Sequence, residues 1–306
     1  MHTVRSIQKS LDLIEERLAE PVSLPELAQV AAMSLRHYQR TFSALVGEPV
    51  GRYLRRRRIA AAAKRLFDHQ GTLLDLALEF QFESHEAFTR AFKAELGVTP
   101  SDWREGRGSI RFPRTPEALS SESLHQRSTA MTYLPEIVPL PPRVFIGLQS
   151  RFIASGSDEG NPMQVIPQLW DDFAQRIGEL PNAEAGANYG LGDVPEAHGL
   201  ERTHPDELLY LAAARVDSDV EPPEGMTRWR SPGGSFAKFE HHGTSSTIGD
   251  TMAYIYGEWF PQSDYDGSEG PDFVRIDHRY DPTRVNCMME IYVSLQKRPP
   301  ERRLDS

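Results

Sequence analysis

Apolar side chains recur at helical spacing through residues 1–110, so this part of the chain predicts helices. Leu11, Ile14 and Leu18 mark the first helix, and Pro21 ends it. Two helical pairs follow, each with a tight break: LPELAQVAAMSLRHYQRTFSALVG and LLDLALEFQFESHEAFTRAFKAELG. The first 110 residues therefore predict an all-α domain.

The two helical pairs are copies of one another. LAQVAAMSLRHYQRTFSALVGEPVGRYLR aligns with LALEFQFESHEAFTRAFKAELGVTPSDWR, with one residue added beside Glu83 in the second turn. Ser34, Arg40 and Phe42, for example, match Ser, Arg and Phe 50 positions later. An internal repeat with the same local pattern is a specific signal of a duplicated unit. The sequence thus predicts two helix-turn-helix units.

A helix-turn-helix unit places its second helix in the major groove of DNA. Ser34 and Ser84 are the predicted N-caps of these recognition helices. Polar side chains on the outer faces can pair with base edges, as arginine does with guanine and glutamine with adenine. The alternative for any single residue is a solvated helix face. The predicted DNA-binding residues are Arg36, His37, Gln39, Arg40, Ser84, His85, Glu86, Thr89, Arg90 and Lys93, together with Arg55 for phosphate.

The helical periodicity ends after residue 110. Residues 111–131 are rich in Ser, Pro and Thr without periodicity, which predicts a linker. Strand-like segments such as ELLYLAAARV and CMMEIYVSL then alternate with two helical segments. We expect an α+β domain of two similar halves over residues 132–298, followed by a tail at 299–306.

Charge is distributed unevenly along the chain. The net charge is −10, but residues 1–115 sum to +4 (18 Lys/Arg and 14 Asp/Glu) and residues 116–306 to −14 (16 and 30). A basic first domain suits phosphate, and an acidic second domain suits a cation or an apolar molecule. Acidic surfaces are also common for solubility alone.

A single cysteine excludes a disulfide within the chain and favours a cytoplasmic location. No membrane partner is expected, because no apolar run reaches the roughly 18 residues that a spanning helix needs. His241 and His242 follow Glu240, but neighbouring strand residues point to opposite faces, so no metal site is predicted. No P-loop or G-x-S-x-G motif is present, and no cofactor is expected.

Glu290 is the candidate anchor for a small molecule. It shares one face of a predicted strand with Met288 and Tyr292. A carboxylate beside sulfur and an aromatic ring suits a lipophilic cation, and burial in an empty pocket is expected to raise its pKa. The alternative is a strand face wetted by solvent. Predicted ligand-binding residues besides Glu290 are Trp259, Tyr256, Tyr292 and Tyr210, with Tyr189 and Trp229 as further candidate walls.

The helical region resembles the DNA-binding domain of the AraC/XylS family through LAQVAAMSLRHYQRTF, GEPVGRYLRRRRI and FESHEAFTRAFKAELGVTPSDWR. The resemblance implies seven helices, with both recognition helices in successive major grooves. The family has glycine in each turn, where Ala32 and Gln81 stand here. Alanine replaces that glycine easily only if its φ is negative.

Residues 132–298 resemble the GyrI-like effector-binding domain through GSFAKFEHHGTSSTIGDTMAYIYGEWFPQSDY, FVRIDHRY and CMMEIYVSL. This resemblance implies a pseudo-twofold α+β fold with a central cleft for amphipathic, often cationic molecules. Glu290 matches the acidic position on its last strand.

The prediction is therefore a non-enzymatic transcription regulator with DNA, a small effector and RNA polymerase as partners. One alternative is that the second domain hydrolyses a reactive molecule, with Glu258 or Glu290 near Trp259 as general base. Another is that it binds a basic protein partner. Neither alternative accounts for the duplicated helix pairs, so both are additions to DNA binding.

Overall fold

The computed structural model describes residues 2–66, 69–107, 134–268, 270–281, 283–284 and 287–298. The chain divides into two compact units, residues 2–121 and residues 122–306. The predicted linker and the predicted tail lie outside the described residues.

Seven helices form the described part of the first unit, as predicted. They are α1 (His2–Glu16), α2 (Leu24–Val30), α3 (Leu35–Val46), α4 (Val50–Arg65), α5 (Leu73–Glu79), α6 (His85–Leu96) and α7 (Pro100–Arg104). Helices α2 and α3 are the first helix-turn-helix unit, α5 and α6 are the second, and α4 connects them.

Both turns begin with the same hydrogen-bond pattern. In the first turn the N–H of Met33 donates to the carbonyl of Ala28 at 3.0 Å, and the N–H of Ala32 to Gln29 at 2.9 Å. In the second turn Phe82 donates to Ala77 and Gln81 to Leu78 in the same pattern. This is a Schellman motif, which places its C′ residue in the left-handed region. Ala32 and Gln81 have φ of 54° and 65°, so the negative φ that would make alanine an easy substitute does not occur.

Each recognition helix buries an aromatic face. Phe42 of α3 packs edge-on against Tyr53 of α4, with ring centroids 5.6 Å apart. Phe88 and Phe92 of α6 are fully buried against Ile59 and other residues of α4. The connecting helix therefore fixes the orientation of both recognition helices within this unit.

The second unit combines one sheet with helices. Its strands are β1 (Glu136–Leu140), β2 (Arg143–Ile153), β3 (Ala187–Asp193), β4 (Glu207–Val216), β5 (Thr227–Ser231), β6 (Gly234–His242), β7 (Tyr265–Gly267), β8 (Asp272–Asp277) and β9 (Met288–Lys297). Its helices are α8 (Pro162–Arg176), α9 (Ile248–Tyr254) and α10 (Phe260–Gln262), with a π-helical turn at Ile255–Trp259 joining the last two.

The sheet is antiparallel and pseudo-symmetric. Its order is β1-β6-β9-β8-β3-β4-β2-β5, with β7 paired to β9. A twofold operation that exchanges β1 with β5, β2 with β6, β3 with β8 and β4 with β9 reproduces this order. The pseudo-twofold α+β fold predicted from the sequence is confirmed.

The two faces of the sheet are covered differently. One face packs against helices: α8 places Leu169 and Phe173 in a cluster with Ala212 and Ala214 of β4. The other face carries Glu290 and an aromatic cluster. We call this second face the aromatic face. Its cluster consists of Phe145, Ala187, Tyr189, Leu191, Leu209, Leu211, Ala213, Trp229, Phe236, Phe273 and Tyr292.

Candidate functional site

The N-caps of both recognition helices are formed as predicted. The Ser34 hydroxyl accepts from the N–H of His37 at 3.4 Å, and the Ser84 hydroxyl accepts from the N–H of Ala87 at 3.1 Å. Each cap satisfies one of the orphan N–H groups at the start of a helix. Both helices end at glycines with positive φ, Gly47 and Gly97.

The second recognition helix presents most of its predicted residues to solvent. Glu86, Arg90 and Lys93 are exposed, while His85 and Thr89 are half-buried. Glu86, Arg90 and Lys93 lie on the side of α6 away from the buried Phe88 and Phe92, whereas His85 and Thr89 border the buried face. The outer face of α6 is thus available for a major groove.

The first recognition helix differs from its prediction at two positions. Gln39 and Arg40 are half-exposed, but Arg36 and His37 are only 8% and 3% exposed. The prediction that these two point outward is wrong for this structure. The residue equivalent to His37 in α6 is Ala87, which is half-buried. Arg36 is equivalent to the exposed Glu86, so its burial is a difference between the units.

Glu86 folds back onto its own helix. Its carboxylate accepts from its own N–H and from the Ser84 hydroxyl, and these bonds, with His85 and Arg90 nearby, lower its pKa. An anion at a helix N-terminus is favourable. This second capping role gives a physical reason for an acidic residue in a DNA-facing helix.

The arginine run of α4 is largely committed within the first unit. Arg57 donates to both oxygens of Glu15 at 2.7 Å, and Arg56 pairs with Glu48. Arg58 donates to the carbonyls of Leu18 and Glu20. The three arginines that follow Arg55, the residue predicted to contact phosphate, therefore bind α4 to other parts of the unit.

The predicted ligand-binding residues do not form one group. Glu290 and Tyr292 lie together on the aromatic face, where the Tyr292 hydroxyl donates to Glu290 at 3.0 Å. Tyr210, Tyr256 and Trp259 lie on the helix-covered face, so the structure does not bring them together with Glu290 and Tyr292, and their part in ligand binding stays a prediction.

Three contacts fix that placement. The Tyr210 hydroxyl accepts from the indole N–H of Trp170 on α8 at 3.2 Å. The Tyr256 hydroxyl donates to Asp272 of β8. Trp259 packs edge-on against Phe239 of β6. The next residue, Glu240, pairs with Glu290 and shares its face, so Phe239 and Trp259 lie on the opposite face.

The aromatic face is built on a stack. Phe273 and Tyr292 lie 4.7 Å apart with an interplanar angle of 17°. Tyr189 contacts Phe273 edge-on at 5.9 Å, and the Arg143 guanidinium lies 5.8 Å from the Phe273 centroid. At the end of the cluster, Trp229 donates to Gln149 and stacks under His198. These rings are almost fully buried, with Phe273 1% and Tyr292 8% exposed, so they form the apolar layer behind the neighbouring charged residues.

Glu290 is paired on three sides, and its side chain is only 10% exposed. The Arg279 guanidinium donates to its carboxylate at 2.9 Å, the Arg275 guanidinium at 3.3 Å and the Tyr292 hydroxyl at 3.0 Å. Burial raises the pKa of Glu290, but the hydrogen bonds from Arg279 and Tyr292 and the charges of both arginines outweigh burial and lower it. The expectation of a raised pKa is therefore wrong, because the site holds its own cations.

Asp277 completes the cluster. It accepts from the Nε and Nη2 atoms of Arg279 at 2.8 and 2.7 Å, and it also binds Arg275. Hydrogen bonds from Arg279 are the main cause that lowers the pKa of Asp277 far below its usual range. We call Glu290, Asp277, Arg275 and Arg279 the ion cluster. The sequence offered a signal for it in FVRIDHRY, where Arg275 and Asp277 alternate along one strand face, but the pairing with Glu290 needed the register of β8 on β9.

Other sequence-based expectations concern metals and membranes. His241 is buried and bonded to Thr251 at 2.7 Å, while His242 is exposed, so the two point apart. Over the described residues there is no group of three or more His, Cys, Asp or Glu side chains that could hold a metal ion. Within the same residues no helix combines the length and apolarity needed to cross a membrane.

Comparison with known proteins matches both units. The family described as GyrI-like small molecule binding domain matches residues 134–296, and the one described as helix-turn-helix domain matches residues 27–106. The chain is 27% identical over 303 residues to Transcriptional regulator Rob of Salmonella typhimurium, covering 95% of this chain and 98% of that protein. It is 25% identical over 310 residues to the right origin-binding protein of Escherichia coli, with the same coverage. A solved AraC-type regulator from Chromobacterium violaceum covers 34% of this chain and 93% of its own, at 22% identity and a TM-score of 0.32.

Proposed function

We propose that this chain, which belongs to the GyrI-like family and joins that small-molecule binding domain to an AraC-type helix-turn-helix domain, is a one-component regulator whose effector alters its binding to DNA. The chain is a DNA-binding transcriptional regulator with a small-molecule binding domain. We further propose that it acts in the cytoplasm, works with RNA polymerase and catalyses no reaction.

The duplicated recognition helix carries the DNA-binding part of the proposal. Arg40 and Arg90 occupy equivalent positions of α3 and α6, on the turn that also carries Gln39 and Thr89. Equivalent side chains on two such helices can read two segments of one duplex, about 10 base pairs apart. A monomer with two reading helices needs no symmetric operator.

Selection of random duplex DNA by the full-length protein tests this part. We expect an enriched asymmetric site with two conserved clusters about 10 base pairs apart. Arg40→Ala should relax one cluster and Arg90→Ala the other, because each removes the side chain from one helix only. Enrichment of a single cluster that responds to only one variant would contradict two-helix recognition.

The aromatic face carries the effector part of the proposal. Its stacked Phe273 and Tyr292 form a buried apolar layer behind the ion cluster, whose Arg279 side chain is 34% exposed. This pairing favours an amphipathic or cationic effector that reaches the ion cluster from solvent. Binding to this face couples to DNA only if the effector binds more tightly to one of two states of the protein.

The hydrolase alternative has weaker geometric support. Glu258 and Trp259 belong to the π-helical turn on the helix-covered side, whereas Glu290 lies on the aromatic face. Glu290 is also a poor general base, since its lowered pKa weakens its hold on a proton. We therefore propose effector binding without turnover, which recovery of unchanged ligand after long incubation would support.

A further inference from the structure

The ion cluster occupies positions for which the fold itself does not require charge. Arg275 pairs with Glu290 across β8 and β9, and the twofold-related pair across β3 and β4 is Leu191 with Leu211. Both leucines are fully buried in the aromatic cluster. In the first half of the unit, two apolar residues thus occupy the positions that Arg275 and Glu290 occupy in the second half. Replacing a buried leucine pair by an ion pair costs desolvation without a general gain in stability, so the cluster points to a ligand rather than to folding.

The arginines of the cluster are held in different ways. Arg275 belongs to β8 and is fixed by strand pairing on both sides, to Tyr189 and to Glu290. Arg279 follows the strand, and its side chain reaches back to Glu290 and Asp277 with 34% exposure. Its backbone N–H also donates to Asp277 at 3.0 Å. Arg279 is therefore the more exposed of the two arginines, at 34% against 25% for Arg275, and its side chain can leave Glu290 toward solvent.

We propose that Arg279 is an internal occupant of the effector site, seated on Glu290 where the cationic group of an effector binds. This inference rests on the proposed effector role of the aromatic face. The guanidinium donates to the Glu290 carboxylate at 2.9 Å and lies at the solvent side of the cluster. An effector that brings its cationic group to Glu290 from the solvent side displaces it.

The charges of the cluster balance in both states. Without effector, the two carboxylates Glu290 and Asp277 face the two guanidiniums of Arg275 and Arg279. With a cationic effector on Glu290, Arg275 remains on Asp277 and Arg279 turns to solvent, so each buried carboxylate still has a cation. Arg279 thereby keeps Glu290 paired when the site is empty and lowers the affinity for every cation that competes with it.

Equilibrium dialysis of the full-length protein against two matched probes tests the proposal. Tetraphenylphosphonium and tetraphenylborate have similar size and shape but opposite charge. Arg279→Gln should tighten the binding of tetraphenylphosphonium by roughly tenfold to a hundredfold, the range expected when a competing hydrogen bond to a charged group is removed. Tetraphenylborate should gain nothing. The matched control is Arg284→Gln, which removes an arginine five positions further on whose partner is Asp281 and whose side chain is 78% exposed.

Each outcome has one meaning. Unchanged phosphonium affinity in Arg279→Gln, with measurable binding in the wild type, overturns the internal-occupant role and leaves the proposed effector function intact. Tighter binding of tetraphenylborate than of tetraphenylphosphonium by the wild type overturns it too, because the site then selects anions. Phosphonium binding by the wild type that Glu290→Gln leaves unchanged places the probe elsewhere and counts against both proposals. Binding of neither probe by any variant contradicts the proposed effector function itself.

Discussion

Ala32 and Gln81 stand at the same position of the two helix-turn-helix turns, and both adopt a left-handed backbone. This conformation costs a residue with a Cβ atom about 1–2 kcal/mol. The two units thus share a strained geometry, although the residues at this position differ. The Gln81 side chain adds a bond to the carbonyl of Ala19 at 2.9 Å, which Ala32 has no means to make.

Ala32→Gly should raise the free energy of unfolding of the first unit by about 1 kcal/mol, because it removes left-handed strain at an exposed residue. Chemical denaturation followed by circular dichroism at 222 nm measures it. Ala31→Gly is the control: its φ is −76°, so glycine should destabilise there. A loss of stability in both variants would show that the left-handed strain is absent in solution.

Arg90→Ala and Arg40→Ala should each weaken binding to the selected operator by roughly fivefold to 150-fold, corresponding to about 1–3 kcal/mol for one base contact. Binding to unrelated duplex DNA should change much less, because phosphate contacts dominate it. Arg5→Ala on the exposed side of α1 serves as the control. Electrophoretic mobility shift at fixed salt measures all three. Equal losses on specific and unrelated DNA would assign the two arginines to the backbone instead.

Glu86→Gln should act in opposite directions on folding and on DNA. The variant loses an anion from the N-terminus of α6, so the thermal midpoint of the first unit should fall slightly. Affinity for DNA should rise severalfold at low salt, because one negative charge leaves a face that meets phosphate. Parallel melting and DNA titrations of the same sample measure both. A higher melting midpoint would contradict the capping role.

The ion cluster should make the second unit sensitive to acid. The pKa values of Asp277 and Glu290 are lowered in the folded state, whereas the unfolded chain has values of about 3.9 and 4.3. Their contribution to stability is therefore complete above about pH 5 and is lost as the pH falls toward the folded values. Asp277→Asn should lower the thermal midpoint strongly at pH 7 and by a smaller amount at pH 3, because part of the contribution is lost once the pH is below the unfolded pKa of about 3.9. Glu159→Gln, at an exposed acid, should show no such pH dependence.

The sequence predicted the first unit well because its information is local. Helical spacing, N-caps at Ser34 and Ser84 and the repeat itself are all readable along the chain. The burial of Arg36 and His37 was missed, because it depends on how α3 sits against other helices. The positive φ of Ala32 was missed because alanine gives no local signal for it.

The second unit was less predictable, because its site depends on pairing between distant strands. Strand β3 was not predicted, since Gly190 and Gly192 weaken its strand signal. Glu290 and Tyr292 were assigned to one face correctly by their alternation. Tyr210, Tyr256 and Trp259 were grouped with them by residue type alone, and residue type does not reveal which face of a sheet a side chain occupies.

The edge strands of the second unit are exchanged between its halves. Strand β1 precedes the first half in sequence yet pairs with β6 of the second, and β5 pairs with β2 of the first. Neither half can complete its own sheet, so the two halves must fold as one cooperative body. The same pairing would be available to two separate copies of a single half, which would form a symmetric strand-swapped dimer. In one covalent chain, unlike in such a dimer, each half can acquire its own substitutions. A pair of leucines in one half therefore occupies the position that a pair of charged residues occupies in the other.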